Sequence, residues 1–189
     1  NIVITGVGGT GVVTIGAVLA MAAHMDGKGA SMMEMAGLAQ KGGAVHIHCR
    51  LAQAPEDISA IRVATGECDT LVGGDLVVSA GAKTLGLMKK GRTIGVVNSH
   101  EVMTGDFTRD RDFKLPTDRL VVSLEARLGD GLIMMDAFAL AQELMGDSLY
   151  ANMILFGAAW QQGGIPVTHA ALVRAITLNG TKVDQNFRA

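Results

Sequence analysis

Gly6-Val7-Gly8-Gly9-Thr10-Gly11 follows the run Ile2-Val3-Ile4-Thr5 and precedes the apolar segment Val12 to Met25. A strand, a G-x-G-x-x-G turn and a helix in this order present free backbone N–H groups at a helix N-terminus, a cradle for a nucleotide pyrophosphate. Glu34 lies roughly 20 residues further on, where a dinucleotide-binding domain keeps its ribose acid. The same glycines also suit a turn that only packs helix against strand, with Gly8 and Gly11 as the close-approach positions. A second cluster, Ala39-Gln40-Lys41-Gly42-Gly43, offers an anion an ammonium and two glycine amides; a turn with a solvated lysine is the alternative.

His46 and His48 fall on one face of a strand at a spacing suited to two imidazoles on one metal, with Glu34 a candidate on the adjacent strand, but no third ligand is evident. Polar contacts at a sheet end or an interface explain the pair better. Gly129-Asp130-Gly131 with Asn152 downstream has the outline of a magnesium-diphosphate signature, but Asp130 reads better as the cap of a helix starting at Leu132. No metal site is expected. The two cysteines, Cys49 and Cys68, form no C-x-x-C pair and fall short of the four thiolates of an iron–sulfur cluster, which points to a reducing cytoplasm.

The elements that must position these residues follow from periodicity and breakers. Val12 to Met25 is apolar nearly all round, a helix buried between a sheet and its neighbours, ended by Gly27 and Gly29. Strands are predicted at Ala30 to Met35, Ala44 to Leu51, Thr70 to Val72, Thr93 to Val97 and Leu120 to Leu124. Asp75 caps a helix from Leu76 to Lys90, and helices are expected over Leu132 to Met145, Ser148 to Gln162 and Thr168 to Leu178. His100 to Asp118 reads as an exposed charged loop or hairpin. The order predicts a three-layer α/β/α Rossmann-like domain with a mostly parallel sheet. The strand holding His46 is the candidate for antiparallel pairing, because only a short loop precedes it.

With 189 residues, 49% of them hydrophobic, one α/β domain over 1–189 is expected. A net charge of -2 leaves no basic face for nucleic acid, and no apolar run is long enough to span a membrane. The chain begins at Asn1, on the edge of a strand, and Lys182 to Ala189 stops within a motif; both suggest a piece of a longer chain.

The ordered set Gly6 to Gly11, Gly37-Leu38-Ala39-Gln40-Lys41-Gly42-Gly43 leading into His46 to Arg50, Leu144-Met145-Gly146-Asp147, Asn152 and Leu155-Phe156-Gly157 resembles the gamma domain of the 2-oxoacid:ferredoxin oxidoreductases. The glutamine-lysine-diglycine loop and Asn179-Gly180 with Val183-Asp184-Gln185-Asn186 most resemble the indolepyruvate branch. The resemblance implies part of an enzyme that decarboxylates a 2-oxoacid on thiamine diphosphate with magnesium. It also implies electron transfer through 4Fe-4S clusters to ferredoxin, and release of the acyl group to coenzyme A. Thiamine and clusters would then reside in partner domains or subunits, leaving this domain without a cofactor of its own and inactive alone. Gly6, Gly8, Gly9, Thr10, Gly11, Gln40, Lys41, Gly42 and Gly43 would face a shared cleft on the coenzyme A side. Two rival readings are a free-standing NAD(P)-binding oxidoreductase domain, with Glu34 on the ribose, and an assembly domain without a ligand.

Overall fold

The computed structural model describes residues 1–36, 43–100 and 116–189. Its centre is a six-stranded sheet in the order β2-β3-β1-β4-β5-β6. The strands are β1 (Ile2–Val7), β2 (Gly29–Ala36), β3 (Ala44–Ala52), β4 (Thr70–Gly73), β5 (Ile94–Asn98) and β6 (Leu132–Met135). β1, β4, β5 and β6 pair in parallel, whereas β3 runs antiparallel to both β1 and β2. The expected mixed α/β/α sheet is therefore present, and the reversed strand is the one carrying His46.

Eight α-helices occur among the described residues: α1 (Val12–Met25), α2 (Leu76–Ser79), α3 (Ala82–Leu87), α4 (Thr117–Leu128), α5 (Ala137–Met145), α6 (Ala151–Gln161), α7 (His169–Asn179) and α8 (Val183–Arg188). Alternation along β1 divides the core. Ile2 and Ile4 join Ile15, Leu19, Ile47, Leu155 and Ala175 beneath α1, α6 and α7. Val3 joins Leu71, Val97, Leu76, Leu87 and Leu124 beneath α2, α3 and α4 on the opposite face. Asp26 ties the end of α1 to the start of α7, accepting from the Thr168 amide at 2.7 Å and hydroxyl at 2.6 Å. These bonds, the hydroxyl's foremost, hold its carboxyl below the usual range.

Three expectations about elements are overturned. Leu120 to Leu124 lies inside α4, because Leu124 and Leu128 recur on one buried face while Val122 is 59% exposed. Leu132 to Met135 is the edge strand β6, preceded by a 3-10 turn over Gly129–Gly131; the following helix is capped by Asp136, which accepts from the Ala139 amide at 2.8 Å. Asp130 thus caps no helix at Leu132. The helix expected from Leu76 to Lys90 is broken into α2 and α3 around Ala80 and Gly81, although Asp75 does cap α2, accepting from the Val78 amide at 2.8 Å. The segment His100 to Asp118, expected as a charged loop, lies mostly outside the described residues.

Candidate functional site

The glycine turn stands at the carboxyl end of β1, next to the turn Gly73-Gly74-Asp75 that leaves β4. Parallel sheets receive ligands at such ends, where helix N-termini converge. Each residue of the first turn has a distinct part. A Cβ on Gly6 would come 2.4 Å from Val12 Cγ2, so its absence lets α1 sit on β1. The Gly8 amide donates to the Gly43 carbonyl at 2.8 Å, extending the β1–β3 ladder. The Thr10 amide and hydroxyl both donate to the Val7 carbonyl, at 3.2 and 2.7 Å, and close the turn on itself. Gly9 and Gly11 take the left-handed backbone, φ 92° and 85°. No bond is seen to the Gly9 or Gly11 amides among the described residues, and the amides of Val12 and Val13 lie in the first helical turn, where no intrahelical acceptor exists.

Gly8 is not the close-approach position that the spacing implied: a Cβ there would meet Gly43 O at 3.6 Å, an ordinary contact. Gly6 holds that role. Gln40, Lys41 and Gly42 lie outside the described residues, and Gly43 is seen only as the acceptor for Gly8.

Asn152 is the residue that spacing did not bring to this place. It opens α6, is 3% exposed, and neither its amide nitrogen nor its oxygen has a hydrogen-bond partner. Its Nδ2 lies 3.2 Å from where a Gly11 Cβ would stand and its Oδ1 3.1 Å from that of Gly74, so both turns need glycine to admit it. A fully buried amide left unpaired costs about 1 to 3 kcal/mol, which a fold tolerates where a ligand completes the bonds. Beside it is a cavity of about 180 Å³ lined by Gly11, Thr14, Tyr150, Asn152, Lys182 and Asn186, among others. The Lys182 ammonium sits 5.1 Å from the Tyr150 ring centroid and 3.8 Å from Asp147 Oδ2 at its mouth. The sequence marked Asn152 as a polar residue in an otherwise apolar helix start and as part of the family resemblance, but nothing in it set the residue against the glycine turn.

Asn98 locks this edge from the other side. Its Oδ1 accepts from the Ala137 and His100 amides at 3.0 and 3.2 Å, and its Nδ2 donates to the Gly74 carbonyl at 3.3 Å.

The other sequence candidates separate. His46 and His48 do share a face, but Glu34 pairs with Ile47 and is exposed on the opposite face, so it cannot complete a metal site with them. No cluster of three or more His, Cys, Asp or Glu that could hold a metal occurs among the described residues. Glu34 also misses the ribose position: β3 stands between β2 and β1, about 10 Å of sheet at the usual strand spacing. Asp130 precedes the start of β6, at the sheet edge away from Asn152, so the two cannot share a magnesium ion. Cys49 and Cys68 belong to the cores on opposite sides of the sheet, and burial pushes both thiols up to about 12. Among the described residues, neither the Asp130–Asn152 pair nor the two cysteines offers a fit for thiamine diphosphate with magnesium or for an iron–sulfur cluster.

His48 accepts from the Val63 amide through Nδ1 at 3.0 Å, and burial lowers its pKa, aided by Arg62 and His46. Burial and the Lys83 charge lower that of His46. A histidine whose folded pKa is lowered contributes stability above its unfolded value, about 6.5, that is lost as pH falls through that value toward the folded one. Denaturant midpoints should therefore fall between pH 7.5 and 5.5, in a window above the titration of Asp26, Asp69 and Asp136, which are all held low; Asp75, whose carboxyl is pushed up by burial, acts in the opposite sense. A flat profile across that window would show that neither ring is kept neutral.

A mixed α/β/α sheet with one reversed strand and a glycine turn between β1 and α1 defines a Rossmann-like domain that departs from the dinucleotide-binding order. The pyruvate ferredoxin/flavodoxin oxidoreductase family profile matches residues 1–189. The chain belongs to that family, and the resemblance read from the sequence is borne out. An indolepyruvate oxidoreductase subunit IorB from Thermococcus kodakarensis is 27% identical over all of this chain and 91% of its own length. That from Archaeoglobus fulgidus is 25% identical over all of this chain and 90% of its own. The fold is similar to the keto/oxoacid ferredoxin oxidoreductase gamma subunit of Geobacter sulfurreducens, with TM-score 0.65 and 21% identity over 98% of this chain and 90% of that one. It is also similar to a pyruvate oxidoreductase subunit of Thermotoga maritima, with TM-score 0.68 and 20% identity over 99% and 90%.

Proposed function

We propose that this chain, as a single gamma-type unit, is part of an indolepyruvate-type 2-oxoacid:ferredoxin oxidoreductase and lines a cleft shared with its partner subunits. Family membership along the whole chain and curated relatives of that name support the reading. Coenzyme A is the substrate whose phosphates suit the open amides of Gly9, Gly11 and the first turn of α1, with the Lys41 loop adding charge. Gly6, Gly8 and Thr10 shape the turn and do not donate to the ligand. The observation that carries the site is the buried, unpartnered amide of Asn152 between the two glycine turns. Thiamine diphosphate, magnesium and the 4Fe-4S clusters belong to the partner subunits, which pass electrons to ferredoxin, so this chain alone has no turnover. No helix among the described residues is long and apolar enough to cross a membrane, and two buried free thiols suit a reducing cytoplasm.

The test is Lys41→Ala in the assembled enzyme. A partly solvated phosphate contact is worth about 1 kcal/mol, so the KM for coenzyme A should rise several-fold, less so at high salt. The KM for the 2-oxoacid should hold. Lost 2-oxoacid turnover with coenzyme A dependence intact would place the loop on the thiamine side of the cleft and sink the assignment.

A further inference from the structure

On the face of the sheet opposite α1 is a second cavity, about 340 Å³, lined by Met35, Ala44, His46, His48, Arg62, Lys83 and Leu87. Among the described residues its lining holds two full cations and two imidazoles and no carboxylate. Among the described residues neither Arg62 nor Lys83 makes an ion pair. The nearby acid Glu67 is engaged elsewhere, with Arg50 at 3.6 Å and the Ala64 amide at 3.3 Å.

Hydrogen bonding fixes what each ring can offer. The Thr84 hydroxyl donates to the Val78 carbonyl at 2.7 Å, so it accepts from His46 Nε2 at 3.1 Å and leaves His46 Nδ1 uncommitted. His48 Nδ1 accepts from the Val63 amide, which puts the proton of the neutral ring on Nε2, a donor without a partner among the described residues. Arg62 supplies a planar fork and Lys83 a point charge.

We propose that this cavity is a binding site for a phosphate group of a small molecule, held by Arg62, Lys83 and the His48 Nε2–H. Donors of three different geometries around one space match a group with three or more acceptor oxygens better than a planar carboxylate, and the uncompensated charge of two cations matches a dianion. The inference does not rest on the coenzyme A reading, because the cavity is separated from the α1 cradle by the sheet.

The experiment is titration calorimetry of the assembled enzyme with inorganic phosphate and with succinate. Phosphate should bind more tightly than succinate, and Arg62→Ala with Lys83→Ala should weaken it about tenfold. Both side chains are exposed, and Lys83→Gln serves as a milder variant, with melting temperatures taken on each. Asn152→Leu, which tests the coenzyme A cradle, should leave this phosphate site intact. Phosphate binding that is absent, unchanged in the double variant, lost in Asn152→Leu, or weaker than succinate binding would overturn the proposal.

Discussion

Gly29→Ala is expected to lower the melting temperature by roughly 2 to 12 °C. Gly29 opens β2 opposite Ala52, and the chain then folds back over it. A Cβ there would stand 2.5 Å from the carbonyl carbon and oxygen of Ala54 and 2.6 Å from Pro55 N. All three are backbone atoms, so no rotamer change relieves the overlap, and either β2 or the Ala54–Pro55 turn must move. Overpacking of this kind costs about 1 to 3 kcal/mol, and in a chain of this length each kcal/mol is worth about 2 to 4 °C. Gly27→Ala is the control: it strains a left-handed residue, φ 70°, but meets nothing within 4 Å and should cost about 1 kcal/mol. A Gly29→Ala protein that melts with the wild type would show that the Ala54–Pro55 turn yields freely.

The same contrast bears on the glycine turn. Gly6→Ala should destabilise through the 2.4 Å approach to Val12 Cγ2, whereas Gly8→Ala meets only an ordinary contact and should be nearly neutral. The spacing of the motif located the turn and pointed to Gly8 and Gly11 as close-approach positions, but did not mark Gly6. Helix-on-strand contact depends on which residue faces the α1 side chains, and that is a property of the packed pair.

Much of the fold was legible because burial wrote a clear period into the sequence. The β-branched run of β1, the apolar α1 and the alternation of His46, His48 and Arg50 on β3 all formed as read. The errors fell where propensity and tertiary context disagree. Leu120-Val121-Val122-Ser123-Leu124 has strand formers, yet its buried residue Leu124 recurs with Leu128 four positions on, a helical spacing that only the neighbouring core selects. Leu132-Ile133-Met134-Met135 has helix formers, but β5 offers it an edge to pair with. The site was half legible for the same reason. The G-x-G-x-x-G pattern is local and could be read, while Asn152 reaches Gly11 only through the sheet, and no spacing in the chain relates the two.

Replacing that residue should separate stability from function. Asn152→Leu exchanges a buried, unpartnered amide for a hydrocarbon of similar shape, which removes a desolvation penalty of about 1 to 3 kcal/mol. Some of this gain will be offset, because the leucine methyls are bulkier than the amide atoms that approach Gly11 and Gly74 at 3.2 and 3.1 Å from their Cβ positions. The net expectation is a melting temperature equal to or a few degrees above that of the wild type. If the amide completes its bonds on coenzyme A, the same variant raises the KM for coenzyme A by about tenfold, the worth of one or two well-placed hydrogen bonds, and leaves the 2-oxoacid KM unchanged. Asn152→Asp provides the opposite probe, since a carboxylate beside the α1 cradle would repel a phosphate and should weaken coenzyme A further. A protective role confined to the fold gives a different pattern: Asn152→Leu would melt lower than wild type with coenzyme A kinetics untouched. Such a result would mean that the amide bonds to an internal water, and that the two glycine turns close around it for packing alone.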